Sequence, residues 1–289
     1  LKDAGGKSEA PPALSDDESA DYEVEPPAVE PEPDGEMVAY KAISEGGTNE
    51  LGKVIDEGFD INARFDLSTI SDDPYPDGLL PVAAAIHSGN AENLQFLLKN
   101  GAKLVHEPSK GDMPLIRCMA EIFNHNQGGD SKKEIKFRDI FKQLLAASPD
   151  LADKKGKQSA PLFYAANYAD EQLIEQLLQA GADTNISDEG GLTPLHLALM
   201  ADGHSHKPGD GQHGHQEEIA MLLIQHGANV KATGKKGECV LNLACMGAHT
   251  NLVKLLIDEK GMDPSAENSV GISPLLAALM APSHSHSHG

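Results

Sequence analysis

A chain of 289 residues with 45 acidic and 23 basic side chains has a formal charge of −22. That length allows one large or two modest domains, and the acidic excess argues against sequence-independent nucleic-acid binding, which relies on clustered Lys and Arg. The longest apolar run, Leu79 to Ile86, is eight residues, well short of the roughly 20 that cross a bilayer, so no membrane insertion is expected.

Residues 1–35 hold eleven acids, two lysines and six prolines, a net charge of −9. Such a segment cannot bury enough apolar surface to offset its ordering entropy, and a disordered, acidic, Pro-rich tail is expected. Beyond Glu36 the texture changes to short amphipathic pieces punctuated by Gly. Helix starts recur at Val38, Pro81, Pro114, Pro161, Pro194, Val240 and Pro274, with spacings of 43, 33, 47, 33, 46 and 34. The base period is 33, with extra residues in three units. Twenty residues after the start a Gly stands wherever nothing is inserted, at Gly58, Gly101 and Gly181, and Gly227 and Gly261 take that place after insertions of thirteen residues and of one.

The fifth unit shows why the pattern folds. Thr193-Pro194 supplies a capping side chain and a ring at the first helical position, where no N–H is needed. The helix LHLALM then turns Leu195, Leu197 and Ala198 towards neighbours, and a second helix, EEIAMLLIQ, places Ile219, Leu222 and Leu223 at helical spacing. Gly227 stands where a left-handed residue ends the helix. So short a helix pair cannot bury its apolar face alone, and stacked neighbours share one continuous core.

The segment GLTPLHLALM, closed by GANV, resembles the ankyrin repeat, and SAPLFYAANYADEQLIEQLLQAGADTN and LLPVAAAIHSGNAENLQFLLKNGAKL resemble it more loosely. The resemblance covers roughly residues 36–281. It implies an all-α solenoid of about seven helix-pair units with short hairpin fingers, at about 36–65, 78–105, 111–151, 158–185, 191–230, 237–265 and 271–281. The last unit has a first helix and no second. SPLLAALMA lacks the polar outer face of a terminal unit, so the chain is expected to continue or this end to be covered. Val38 and Val240 replace the usual Pro, and Phe163, Ala83, Ile116 and Asn242 replace the His seen at His196. The resemblance gives His196 a structural hydrogen-bonding role, and Asn62, Asn185 and Asn229 fit the family's finger asparagine.

Where the units lengthen differs. LSTISDDPYPDG follows the first unit, within a finger. In the third, Ser131-Lys132-Lys133-Glu134 has capping-box spacing before IKFRDIFKQLL, so a long second helix is expected. In the fifth, ADGHSHKPGDGQHGHQ has no apolar periodicity and reads as a flexible loop. Its His204, His206, His213 and His215 could supply four imidazoles to zinc, which takes nitrogen ligands tetrahedrally, or they could be a solvated polar loop. Residues 282–289, with SHSHSHG, read as a His-rich tail or a purification tag. No cofactor is expected beyond that possible zinc.

No catalytic signature stands in a fitting context, and the chain is read as no enzyme. Cys118, Cys239 and Cys245 are odd in number and dispersed, which fits packing in a reducing compartment and a cytoplasmic location, or the host cytoplasm for a secreted effector. In the resembled family, partners are held by finger tips and exposed first-helix positions. Those positions here are Lys157, Asn167 and Tyr168 in the fourth unit, Glu189, Leu192 and Met200 in the fifth, and Lys235, Lys236, Glu238 and Met246 in the sixth. Lysines gather at two fingers, Lys154, Lys155 and Lys157, then Lys231, Lys235 and Lys236. Three functions follow. The first is a monomeric, non-catalytic scaffold that binds a protein through a concave repeat surface and fingers. The second is a targeting module of a larger protein, such as an effector, whose enzymatic domain lies elsewhere. The third is metal-responsive binding through the His-rich loop.

Overall fold

The computed structural model describes residues 35–65, 79–107, 113–156, 160–200 and 215–280. Among these residues the chain is an all-α solenoid of thirteen helices that come in pairs. The pairs are α1 (Gly35–Ser44) with α2 (Thr48–Asp56), α3 (Pro81–His87) with α4 (Ala91–Lys99), and α5 (Pro114–Gly128) with α6 (Ser131–Ala147). Then come α7 (Pro161–Asn167) with α8 (Glu171–Gln179), α9 (Pro194–Met200) with α10 (His215–Gln225), and α11 (Val240–Met246) with α12 (Thr250–Lys254). The seventh unit has α13 (Pro274–Met280) alone among the described residues.

First helices pack on first helices from α1 to α13. In the first six units the fifth residue counted from Val38, Pro81, Pro114, Pro161, Pro194 and Val240 is small and buried, at Ala42, Ala85, Cys118, Ala165, Ala198 and Ala244. Small side chains there let neighbouring backbones approach closely, which a Leu would prevent. The second helices contribute Leu51, Leu94, Leu97, Ile174, Leu177 and Leu223, all buried, to one apolar core that runs from Ala39 to Leu256. Within α10 the buried stripe is Ile219, Ala220, Leu223 and Ile224, whereas Leu222, expected on that face, is half-buried at its edge.

Second helices end at the recurring Gly. Gly58, Gly101, Gly181, Gly227 and Gly261 all have φ between +65° and +103°, a region that costs an L side chain but not Gly. The one-residue excess before Gly261 is taken up inside its own helix. α12 passes into a π turn over Leu255–Glu259, where Lys260 N–H reaches the Leu255 carbonyl at 3.1 Å, and Gly261 is still left-handed.

The third unit lengthens both helices, not the second alone. α5 has 15 residues and α6 has 17, against seven and nine in α7 and α8. The cap of α6 is Asp130, whose carboxylate accepts from Lys133 N–H at 3.2 Å, so Ser131 is the first helical residue and not the cap. The segment LSTISDDPYPDG lies outside the described residues, closed by an antiparallel bridge between Phe65 and Leu79.

Candidate interaction surface

The fingers of the last three units share one backbone plan. Asp188 N–H bonds the Leu192 carbonyl at 3.0 Å, Gly234 N–H the Glu238 carbonyl at 2.9 Å, and Asn268 N–H the Ile272 carbonyl at 3.0 Å. Gly191, Gly237 and Gly271 turn each tip with positive φ. A carboxylate or amide at the base or rim accepts tip amides. Asp188 takes Leu192 N–H at 2.8 Å, Glu238 takes Lys236 N–H at 3.0 Å, and Asn268 takes Ile272 N–H at 2.9 Å. Neighbouring fingers are also tied to each other. Lys235 N–H donates to the Gly190 carbonyl at 2.7 Å, and the Asn268 amide to the Gly237 carbonyl at 2.8 Å. Among the described residues the ammonium groups of Lys231, Lys235 and Lys236 make no ion pair, so rigid turns present solvent-facing cations.

The remaining positions are less alike. Lys154 pairs with Asp150 at 3.4 Å, and the Lys155 carbonyl accepts from the His106 ring at 2.7 Å, while Lys157 lies outside the described residues. Asn167 is exposed at the end of α7, and Glu189 at its finger tip, whereas Leu192 is half-buried. Tyr168 is half-buried too and stacks on Phe123 of the lengthened α5, with ring centroids 4.2 Å apart and planes 15° apart. Burial there, with Tyr164 nearby, pushes the Tyr168 phenol pKa up. That ring therefore serves packing between units as well as surface. Met200 and Met246 are 43% and 41% exposed. Met280, not singled out from the sequence, occupies the same last position of α13 and is 56% exposed. The register would have found it, because each of these Met residues lies six after its helix start.

His196 is wholly buried between two units. Its Nδ1 accepts from Thr193 N–H at 3.2 Å and meets the Thr193 hydroxyl at 2.9 Å, and Nε2 meets the Glu238 carbonyl of the next finger at 3.3 Å. Asn242 replaces it one unit later and makes the matching bond, Nδ2 to the Ile272 carbonyl at 2.8 Å. Burial is the main cause that holds the His196 pKa below the ordinary histidine value. A depressed folded pKa means the unfolded chain takes up more protons, so this contribution is present above the unfolded pKa of about 6.5 and is lost as pH falls below it. His196→Asn is therefore expected to keep the bond to Glu238 and to flatten the fall in melting temperature between about pH 7 and 5 relative to the parent chain. Parallel curves for the two proteins would show that His196 does not titrate in this range.

Asn62, Asn185 and Asn229 lie at the unit junctions. Asn62 accepts from Lys103 N–H at 2.8 Å, Asn185 accepts from Asn229 N–H at 2.7 Å and donates to the Gly227 carbonyl at 3.0 Å, and Asn229 accepts from Lys231 N–H at 3.0 Å. These bonds fit a turn-forming role. His204, His206 and His213 lie outside the described residues, and His215 opens α10 with Nδ1 3.4 Å from Glu218. Among the described residues no three His, Cys, Asp or Glu side chains are grouped to hold a metal, and no helix is long and apolar enough to cross a membrane.

A family model described as ankyrin repeats, in three copies, matches residues 133–206 and 211–286. The chain belongs to the ankyrin-repeat family, a class of protein-interaction modules. It is similar to ankyrin repeat protein B18 of Variola virus, 27% identical over 203 residues, which is 64% of this chain and 33% of that protein. It is also similar to a putative ankyrin repeat protein of Acanthamoeba polyphaga mimivirus, 28% identical over 133 residues, 45% of this chain and 15% of that one. Mouse (Mus musculus) ankyrin repeat and SOCS box protein 16 is 32% identical over 121 residues, 42% of this chain and 25% of its own length. The chain thus spans a third or less of each of these relatives.

Proposed function

We propose that the chain is a non-catalytic scaffold that holds a protein partner against its fingers and the exposed ends of its first helices. The observation that carries this reading is the sixth-unit finger. Lys235 and Lys236 are exposed and make no ion pair among the described residues, yet their backbone is fixed by bonds to Gly190 and Glu238. A cation on a fixed turn loses little entropy when a partner pairs with it. A second reading, a binding module within a longer protein, is favoured by the short share of its relatives that the chain spans. The mouse relative, by its name, joins ankyrin repeats to a SOCS box.

Cross-linking mass spectrometry from a native lysate tests the surface. The expected partner cross-links fall on Lys235, Lys236, Lys154 and Lys155. Lys235→Ala with Lys236→Ala is expected to reduce partner recovery severalfold while changing stability by less than about 0.5 kcal/mol, as exposed substitutions do. Cross-links confined to Lys99, Lys142 and Lys254 on second helices, with recovery unchanged in the double variant, would reject this surface.

A further inference from the structure

Among the described residues each first helix from α3 to α11 packs on a first helix at either side, whereas α1 packs on α3 and α13 packs on α11. The rest of the α13 surface is apolar. Pro274 and Ala277 are its buried residues, while Leu275 and Leu279 are 70% and 76% exposed, and Leu276 and Met280 lie beside them, also exposed. At about 100° per residue these four side chains cover roughly 140° of the helix surface. α13 holds no ionisable side chain. So much contiguous apolar surface on so short a helix marks a place where another surface packs.

A concavity of matching kind lies between α1 and α2. It is a groove of about 470 Å³, lined by Val38 and Ala42 from α1 and by Val54 from α2. Val38 and Ala42 are four apart on one helix face, so the apolar lining runs along α1 and is met by Val54 across the groove. Paired helices lie about 8–10 Å apart, and the furrow between them accepts the side-chain ridge of one further helix. The charged lining is of both signs, Lys41 and Lys53 against Glu45 and Glu57, and all four are exposed. Such a rim selects neither an acidic nor a basic occupant. An uncharged apolar helix is the occupant that strands no charge on binding. α13 is such a helix, and it is present wherever the groove is. Seating it beside α1 of a second copy repeats the first-helix contact that it already makes with α11, whereas pairing α13 with α13 leaves the groove open.

We propose that copies of this chain associate head to tail, with α13 of one seated in the α1–α2 groove of the next. The two faces are unlike, so the interface is heterologous and copies add in series instead of stopping at two. The test is sedimentation velocity of the full chain over a range of concentrations, with a chelator present so that no metal links the His-rich segments. The weight-average mass is expected to rise past two copies, and to do so even at an ionic strength of about 1 M, where charges are screened within about 3 Å. Leu275→Glu with Leu279→Glu blocks one face, and Val38→Glu or Val38→Lys blocks the other. Each variant alone is expected to associate at least about tenfold more weakly than the parent. An equal mixture of the α13 variant and a Val38 variant retains one intact α13 and one intact groove, and is expected to form pairs and nothing larger. All three positions are exposed, and circular dichroism melting matched to the parent shows that the variants fold. A parent that stays monomeric, association lost at high salt, a Val38 variant that still pairs through α13, or a mixture that forms no pairs overturns the proposal. The finger surface is read with a partner and not with the chain alone, so the scaffold reading and this one fail separately.

Discussion

Leu223→Ala is expected to lower the folding free energy by about 2–5 kcal/mol, read as a shift of the urea midpoint at unchanged slope. Leu223 is fully buried in α10 and packs in the core shared by the fifth and sixth units. Its side chain leaves a void that α9 and α12 cannot close without disturbing their own neighbours, and cavity cost adds to the lost transfer energy. Leu195→Ala in α9, equally buried, belongs to the same range. Leu222→Ala is the internal control. Being half-buried, it is expected to cost less than half as much as Leu223→Ala. Equal losses at Leu222 and Leu223 would mean that α10 is rotated about its axis from the orientation described.

Asp170→Ala is expected to destabilise by about 2–4 kcal/mol, because one carboxylate serves two helices. Its Oδ1 accepts Leu173 N–H at 3.1 Å and so caps α8, and the same carboxylate takes Arg138 Nη1 at 3.2 Å and Nη2 at 2.7 Å from α6. Arg138 also donates Nε to Glu134 at 2.9 Å. The Arg138 and Asp170 side chains are 19% and 13% exposed, so removing the acid leaves a largely desolvated guanidinium with one partner lost. Asp170→Asn keeps an oxygen for the cap and is expected to cost roughly half as much. If Asp170→Ala and Asp170→Asn shift the unfolding midpoint alike, the cap contributes nothing and the ion pair accounts for the whole effect.

The period, the left-handed glycines and the order of helix pairs were legible because each is a local rule repeated at fixed spacing. Thr193-Pro194 and Gly227 identify a helix start and stop whatever surrounds them. The Arg138–Asp170 clamp was not legible, since its partners are 32 residues apart in different units and no recurring spacing marks the pair. Nor was the length of α5. Its last turns, EIFNHNQG, hold weak helix formers, and they are helical because Phe123 stacks on Tyr168 and His125 on Phe137, with centroids 5.5 Å apart in the latter pair. Asp130 displaced Ser131 as the cap because either residue can accept the third helical amide, and α6 starts one residue earlier than the Ser-x-x-Glu spacing suggests. On the surface, Met200 and Met246 were legible one at a time. Met280 joined them once α13 was seen to lie beside α11.

The π turn at Leu255–Glu259 bears on how the chain tolerates changes of length. A surplus residue inside a rigid repeat would ordinarily rotate everything after it by about 100° and turn core side chains outward. Here it is absorbed as one widened turn, with Leu252 and Leu256 still buried on one side and Gly261 still left-handed on the other. The inward face of the sixth unit and the finger of the seventh thus keep their phase. Single-residue gains and losses in such an array have a place to accumulate without unstacking it, and that place is the second helix of a unit.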